Sequence, residues 1–214
     1  MLRKEPLFLL SDSMLKLIGE FGVLLNGRFQ CCINAYGGYN LKRLTGEVQK
    51  SRNIKGYFKK VVVMVGTNDS HGDREAFDLG NMYTFIKDFK AFFVALDSCL
   101  DPEKVVILGL LPRAYCGKKC RSDSKYCRNV HKNSDTDPDI NTLNKRINNM
   151  NKEIEEIVKT DIRFIGKATF CNLFYMFLSK GKVDGTSNKL LGIDRLHINK
   201  AGAELIDEQL NSIL

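Results

Sequence analysis

Short, nearly continuous apolar runs alternate along the chain with longer stretches whose apolar residues recur every three or four positions. The runs PLFLL at 6–10, RFQCCI at 28–33, KVVVMVG at 60–66, KVVILGL at 104–110 and DIRFI at 161–165 are the predicted strands. Strict apolar/polar alternation, the mark of a strand with one wet face, is missing from most of them. Runs of this kind fit strands covered on both faces, as in a parallel sheet. The intervening stretches carry a helical period. Met14, Leu15, Ile18 and Phe21 precede the second strand, and Leu41, Leu44 and Val48 follow it. Met82, Phe85, Ile86, Phe89, Phe92, Phe93 and Leu96 form a wide apolar face after the third. Ile140, Leu143, Ile147, Met150, Ile154 and Ile157 precede the fifth, and Ala201, Leu205, Ile206 and Leu210 mark a last helix over about 199–214.

This βαβαβ order predicts an α/β protein with right-handed crossovers and helices on both faces of the sheet. A three-layer α/β/α sandwich of flavodoxin-like order, with a central, mostly five-stranded parallel sheet, satisfies the pattern. Such sheets place their sites beyond the carboxyl ends of the strands, so those ends are where chemistry is sought.

Composition narrows the class. A chain of 214 residues with 43% hydrophobic content is near the size of one domain and can fill a real core. No composition shift or repeat divides it, so 1–214 is expected to be one unit, with a basic, Cys-rich insertion at about 112–138. The longest apolar runs are too short to span a bilayer, and MLRKEPLFLL lacks a signal-peptide core. A soluble, cytoplasmic protein is the expectation. The net charge is +8, and seven Lys/Arg fall between Arg113 and Lys132 against the single acid Asp123. That segment reads either as a solvated loop or as a contact for a polyanion such as RNA or an anionic membrane surface.

The strand ends carry unusual residues. Ser11-Asp12-Ser13 follows the first strand, and Asn34-Ala35-Tyr36-Gly37-Gly38-Tyr39-Asn40 the second. Gly66-Thr67-Asn68-Asp69 follows the third, and Asp194-Arg195-Leu196-His197 stands just before the last helix. Each fragment alone has a plain reading as a turn or a helix cap. Together they supply a hydroxyl, a base, a carboxylate to orient the base, and donors for an oxyanion. A serine hydroxyl attacks only when a neighbouring base takes its proton, and histidine suits that task near neutrality. A carboxylate on the far ring nitrogen fixes the tautomer and stabilises the imidazolium. The Asn68 amide and the backbone N–H groups of Gly38 and Ser13 are candidate oxyanion donors.

These blocks, S-D-S, G-G, G-T-N-D and D-R-L-H in this order, resemble those of the SGNH (GDSL-type) hydrolases, and the match runs from Leu7 to the last helix. The resemblance implies a flavodoxin-like sandwich and esterase chemistry without a cofactor. Carried over by motif, Ser13 is the nucleophile, Asp194 and His197 complete the triad, and Gly38 and Asn68 serve the oxyanion with Ser13. Two departures are visible. Ser11 stands where the first block usually has glycine, a substitution that keeps the residue small. Tyr39-Asn40 follow the second block's glycines, which leaves Gly37 as an alternative to Gly38. The implied substrate is an acyl ester, short-chain or acetyl, or a lipid. The short loops resemble the acetylhydrolase branch, including the esterase domain of LINE-type retrotransposon first-open-reading-frame proteins.

Of seven cysteines, Cys31, Cys32, Cys99 and Cys171 sit among apolar residues and read as core thiols. Cys116, Cys120, Cys127 and His131 could instead form a Cys3His structural zinc site, although their spacing is not a usual one. Unligated surface thiols, or a disulfide between two of these cysteines, are the competing readings. Asp12 is expected to brace the first turn, and Asp69 the Asn68 loop. The stretch ATFCNLFYMFL at 168–178 fits either a core element or an apolar wall beside the site.

Overall fold

A computed structural model describes residues 4–21, 27–71, 79–113, 140–178, 190–192 and 197–214. Five strands, β1 (Glu5–Ser11), β2 (Phe29–Ala35), β3 (Lys60–Met64), β4 (Lys104–Leu108) and β5 (Ala168–Cys171), form one sheet in the order β2-β1-β3-β4-β5. Every neighbouring pair is parallel. This is the flavodoxin-like order, and its reversal lies between β1 and β3, the position beyond which folds of this order place their ligand crevice.

The helices are α1 (Lys16–Glu20), α2 (Leu41–Lys50), α3 (Leu79–Leu100), α4 (Ile140–Thr160) and α5 (Lys200–Ile213). Successive strand residues point to opposite faces, and two separate cores result. Phe8, Leu10, Val61, Val63, Val105 and Ile107 face α2, α3 and α4. Leu7, Leu9, Val62, Met64, Val106 and Leu108 face α1 and α5. Both faces are covered, and this is why the strands lack polar alternation.

The fifth strand departs from the sequence expectation. DIRFI is a turn following α4, and the strand lies a few residues later, at Ala168–Cys171. The α4 pattern runs on to Thr160, and Asp161 then folds the chain back, its backbone oxygen accepting from the N–H of Phe164 and its carboxylate binding the Arg163 guanidinium. Only Phe164 of that pentapeptide enters the core, stacked on Phe93 with centroids 3.8 Å apart, while Ile162 is 83% exposed. An apolar triplet with one inward member looks like a strand only while its neighbours are unknown.

The stretch at 168–178 is settled as core. After β5, Leu173, Phe174, Phe177 and Leu178 are buried, and only Tyr175 and Met176 face outward. The cysteines divide. Cys99 and Cys171 are buried, but Cys31 is half-buried and Cys32 exposed, because β2 is an edge strand with thinner cover. Arg113 also departs from its reading as part of a solvated basic run, since it is 2% exposed. Cys116, Cys120, Cys127 and His131, with the rest of the insertion, lie outside the described residues. Among the described residues no helix is long and apolar enough to cross a membrane.

Candidate active site

The loop after β1 is built around two short polar side chains. The Ser11 hydroxyl accepts the Leu15 N–H at 3.1 Å, which satisfies one of the backbone donors that an incoming helix leaves open. Ser11 is therefore more than a small substitute for glycine: its hydroxyl caps the turn, a role glycine cannot fill. Asp12 is fully buried and braces the turn. Its Oδ1 accepts from the N–H of Ser13 at 2.8 Å and of Met14 at 3.3 Å, and its Oδ2 accepts the Thr67 N–H at 3.1 Å. One carboxylate thus binds the loop after β1 to the loop after β3. Burial pushes the Asp12 carboxyl above its ordinary pKa, and the Thr67 bond followed by the Arg113 charge pulls it back.

Ser13, half-buried at the rim, projects from this braced loop. Its Oγ lies 2.9 Å from His197 Nε2, within hydrogen-bond reach although the two residues are 184 positions apart in sequence. His197 is delivered by a narrow hairpin. Leu191 and Ile198 form an antiparallel bridge, the Gly192 N–H donates to His197 O at 2.7 Å, and the Asn199 N–H donates to Leu190 O at 3.0 Å. The Asn199 side chain locks the hairpin to α5, accepting the Gly202 N–H at 3.0 Å and donating to Leu191 O at 3.1 Å. Asp194 lies outside the described residues.

The glycine block forms a tight turn, with the Tyr39 N–H donating to Tyr36 O at 3.2 Å and Gly38 at φ +76°. This positive φ in the third position is what a type II turn requires, and glycine adopts it without strain. A side chain on Gly37 would meet Ser13 Cβ at 4.0 Å, so the turn lies directly against the Ser13 loop. Neither Gly37 N–H nor Gly38 N–H has an acceptor among the described residues, so either can face an oxyanion. Asn68 donates one amide hydrogen to Tyr39 O at 2.9 Å and has a second to offer. The Ser13 N–H differs from these, because in this arrangement it is turned to Asp12.

Asp69 ties the same two loops together from behind. Both of its oxygens accept the Leu41 N–H at the start of α2, at 3.1 and 3.3 Å. Burial pushes its carboxyl up to about 6, against the pull of the Leu41 bond and with the nearby Asp12 charge adding to the rise. Sequence reading missed Asn144 and Asn151, two fully buried amides on α4. Each pairs twice with backbone beyond β4. Asn151 takes the Leu110 N–H and donates to Leu110 O, and Asn144 does the same for Arg113, all at 2.7–3.0 Å. Their seven-residue separation on one apolar helix face was the available signal.

No family model and no curated protein matches the sequence. Solved structures do match over nearly the whole chain. A GDSL-like lipase from Bacteroides thetaiotaomicron superposes with a TM-score of 0.69 at 13% identity, covering 98% of this chain and 87% of that one. A carbohydrate acetylesterase from Sinorhizobium meliloti gives 0.63 at 11% identity, with 99% and 100% covered. An aryl esterase from M. smegmatis gives 0.63 at 11% identity, with 98% and 100% covered. The chain has the three-layer parallel α/β fold, and it shares that fold with this GDSL-like lipase and these two esterases.

Proposed function

We propose that the chain is a serine esterase of the SGNH type, acting on short-chain acyl esters such as acetates. The observation that carries this reading is the 2.9 Å approach of Ser13 Oγ to His197 Nε2. Two residues so far apart in sequence meet at the carboxyl edge of the sheet, where this fold class binds ligands. The solved structures of like fold add support, since those compared above are a lipase, an acetylesterase and an aryl esterase.

In the proposed cycle Ser13 Oγ attacks the acyl carbon while its proton passes to His197 Nε2. The alcohol leaves with that proton, and water, deprotonated by the same nitrogen, releases the acid and restores Ser13. Asp194 would hold the far ring nitrogen, three residues before His197. Asn68 and the turn at 37–38 would stabilise the oxyanion. The scheme calls on no metal or cofactor.

Release of p-nitrophenol from p-nitrophenyl acetate, lost in Ser13→Ala, is the test. Removal of a triad member typically costs on the order of 10^6 in kcat, so equal rates in the two proteins would rule the reading out. A second function is carried by the charge of residues 114–132, where six Lys/Arg stand against Asp123. This segment would dock on RNA or an anionic lipid surface. Binding to RNA that weakens steeply with salt and survives Ser13→Ala is expected. Unchanged binding after charge reversal at Lys118, Lys119 and Arg121 would reject the segment as the contact.

A further inference from the structure

Residues 41–60 hold seven Lys/Arg against the single acid Glu47, a net +6 on a chain whose total is +8. They form α2, the 3-10 turn Ser51–Ile54 and the start of β3. Leu41, Leu44 and Val48 of α2 are buried, and the helical period therefore turns Lys42, Arg43, Gly46 and Lys50 outward. Three of the seven cations are matched: Lys50 with Glu47 at 2.8 Å, Lys59 with Glu103 at 3.1 Å and Lys60 with Glu5 at 3.0 Å. Lys42, Arg43, Arg52 and Lys55 are exposed and have no ion-pair partner among the described residues. Aromatic rings are interleaved with these cations. Tyr57 is 59% exposed and is braced edge-on by the buried Phe58, with centroids 4.8 Å apart, so its ring stands open to solvent. At the other end of α2 the Arg43 guanidinium lies 5.8 Å over the Tyr39 ring, which stacks on Tyr36 at 5.4 Å. Gly46 adds an independent sign. Glycine weakens a helix relative to alanine, yet a Cβ at 46 would meet nothing within 4 Å, so the fold itself does not require glycine there. A partner passing close over the helix accounts for it.

We propose that the outer face of α2 and the turn after it bind a single-stranded nucleic acid, with phosphates on Lys42, Arg43, Arg52 and Lys55 and a base stacked on Tyr57. This surface is distinct from residues 114–132, and the proposal does not depend on the esterase reading. Charge complementarity selects a polyanion, and the remaining features select its kind. Sites for single strands combine a cationic track along the backbone with exposed rings on which bases stack. α2 rises about 15 Å over its ten residues, so cations at its two ends are spaced for an extended chain rather than clustered around one phosphate. A helix lying on a bilayer buries large apolar side chains among its cations, and the outward positions of α2 hold none. A paired duplex has no free base faces to offer Tyr57.

The test is fluorescence anisotropy of a labelled, non-self-complementary single-stranded RNA of about 20 nucleotides with the full chain over a range of salt. Lys118→Glu, Lys119→Glu and Arg121→Glu are present throughout, so that the other basic segment does not contribute. Changing Lys42, Arg43, Arg52 and Lys55 to Gln is expected to flatten the slope of log affinity against log salt by about 3, as four lost phosphate contacts require. Tyr57→Ala is expected to weaken binding on the order of 10-fold and to leave that slope as it was, because stacking releases no counterion. Should the fourfold variant misfold, Arg52→Gln with Lys55→Gln is expected to flatten the slope by about 1.4. An unchanged slope in the folded charge variants overturns the proposal, and so does undiminished affinity in Tyr57→Ala. Equal affinity for the same RNA as a duplex overturns the choice of a single strand. If the RNA does not bind at low salt while vesicles of phosphatidylcholine and phosphatidylserine do, the surface is a membrane contact and the proposal falls.

Discussion

The Asn68 side-chain amide donates to the Tyr39 carbonyl at 2.9 Å, and so the loop after β3 is fastened to the glycine turn after β2. Both loops carry proposed oxyanion donors, and this bond sets their spacing before substrate arrives. Stabilisation of a developing oxyanion depends on donors that need no reorganisation during the reaction.

Removing that amide should therefore damage chemistry more than binding. Asn68→Ala is expected to lower kcat on p-nitrophenyl acetate by about 10^2–10^3 while KM changes little. Steady-state kinetics of the folded variant check this, and a change confined to KM would place Asn68 in substrate binding instead.

Asp69 gives the same region a pH dependence with a definite sign. Its folded-state pKa of about 6 lies above the ordinary 3.8, so the folded protein holds this proton more tightly than the unfolded chain. Its contribution to stability is greatest below the unfolded value and is lost as pH rises through about 6. Relative to Asp69→Asn, the wild type should lose roughly 2 kcal/mol between pH 4 and pH 7. Urea unfolding of both proteins across that range measures the difference, and parallel curves would contradict it.

Ser11 separates a capping role from mere smallness. Its hydroxyl accepts the Leu15 N–H, so Ser11→Ala and Ser11→Gly should each cost about 1 kcal/mol, even though both replacements are smaller. Thermal unfolding decides. If the glycine variant, which restores the usual first residue of the motif, matched wild type, the cap would be energetically idle.

Gly202 is constrained by space rather than by backbone angle. A Cβ there would lie 2.3 Å from Leu190 O, in the segment that pairs with the chain around His197. Gly202→Ala must push the start of α5 away from that hairpin. A destabilisation of about 1–3 kcal/mol is expected, together with a fall in kcat larger than the change in KM. Retention of both stability and rate would mean the hairpin and helix can separate without moving His197.

Much of this protein is legible in its sequence. Unbroken apolar runs such as VVVMV require cover on both faces, and that requirement leads to the parallel three-layer sheet. Asn40 and Asn199 stand immediately before α2 and α5 and cap them through their side chains, a local interaction within three residues. The pairing of Ser13 with His197 was reachable because fixed blocks mark strand ends, and strand ends gather on one edge. What failed to show depends on distant partners. DIRFI is a turn because Phe164 finds Phe93, and Cys32 is exposed on β2, which has no outer neighbour among the described residues. Arg113 looked like one basic residue in a run of seven. It is buried where Asn144, thirty-one positions on, clamps its backbone N–H and carbonyl. Hydrophobic period and capping are local, and so four of the five strands, the order of the elements and the edge with the polar motifs could be read from residue order alone. Which polar groups are buried emerges from the folded arrangement alone, because the cost of burying a charge depends on its neighbours in space.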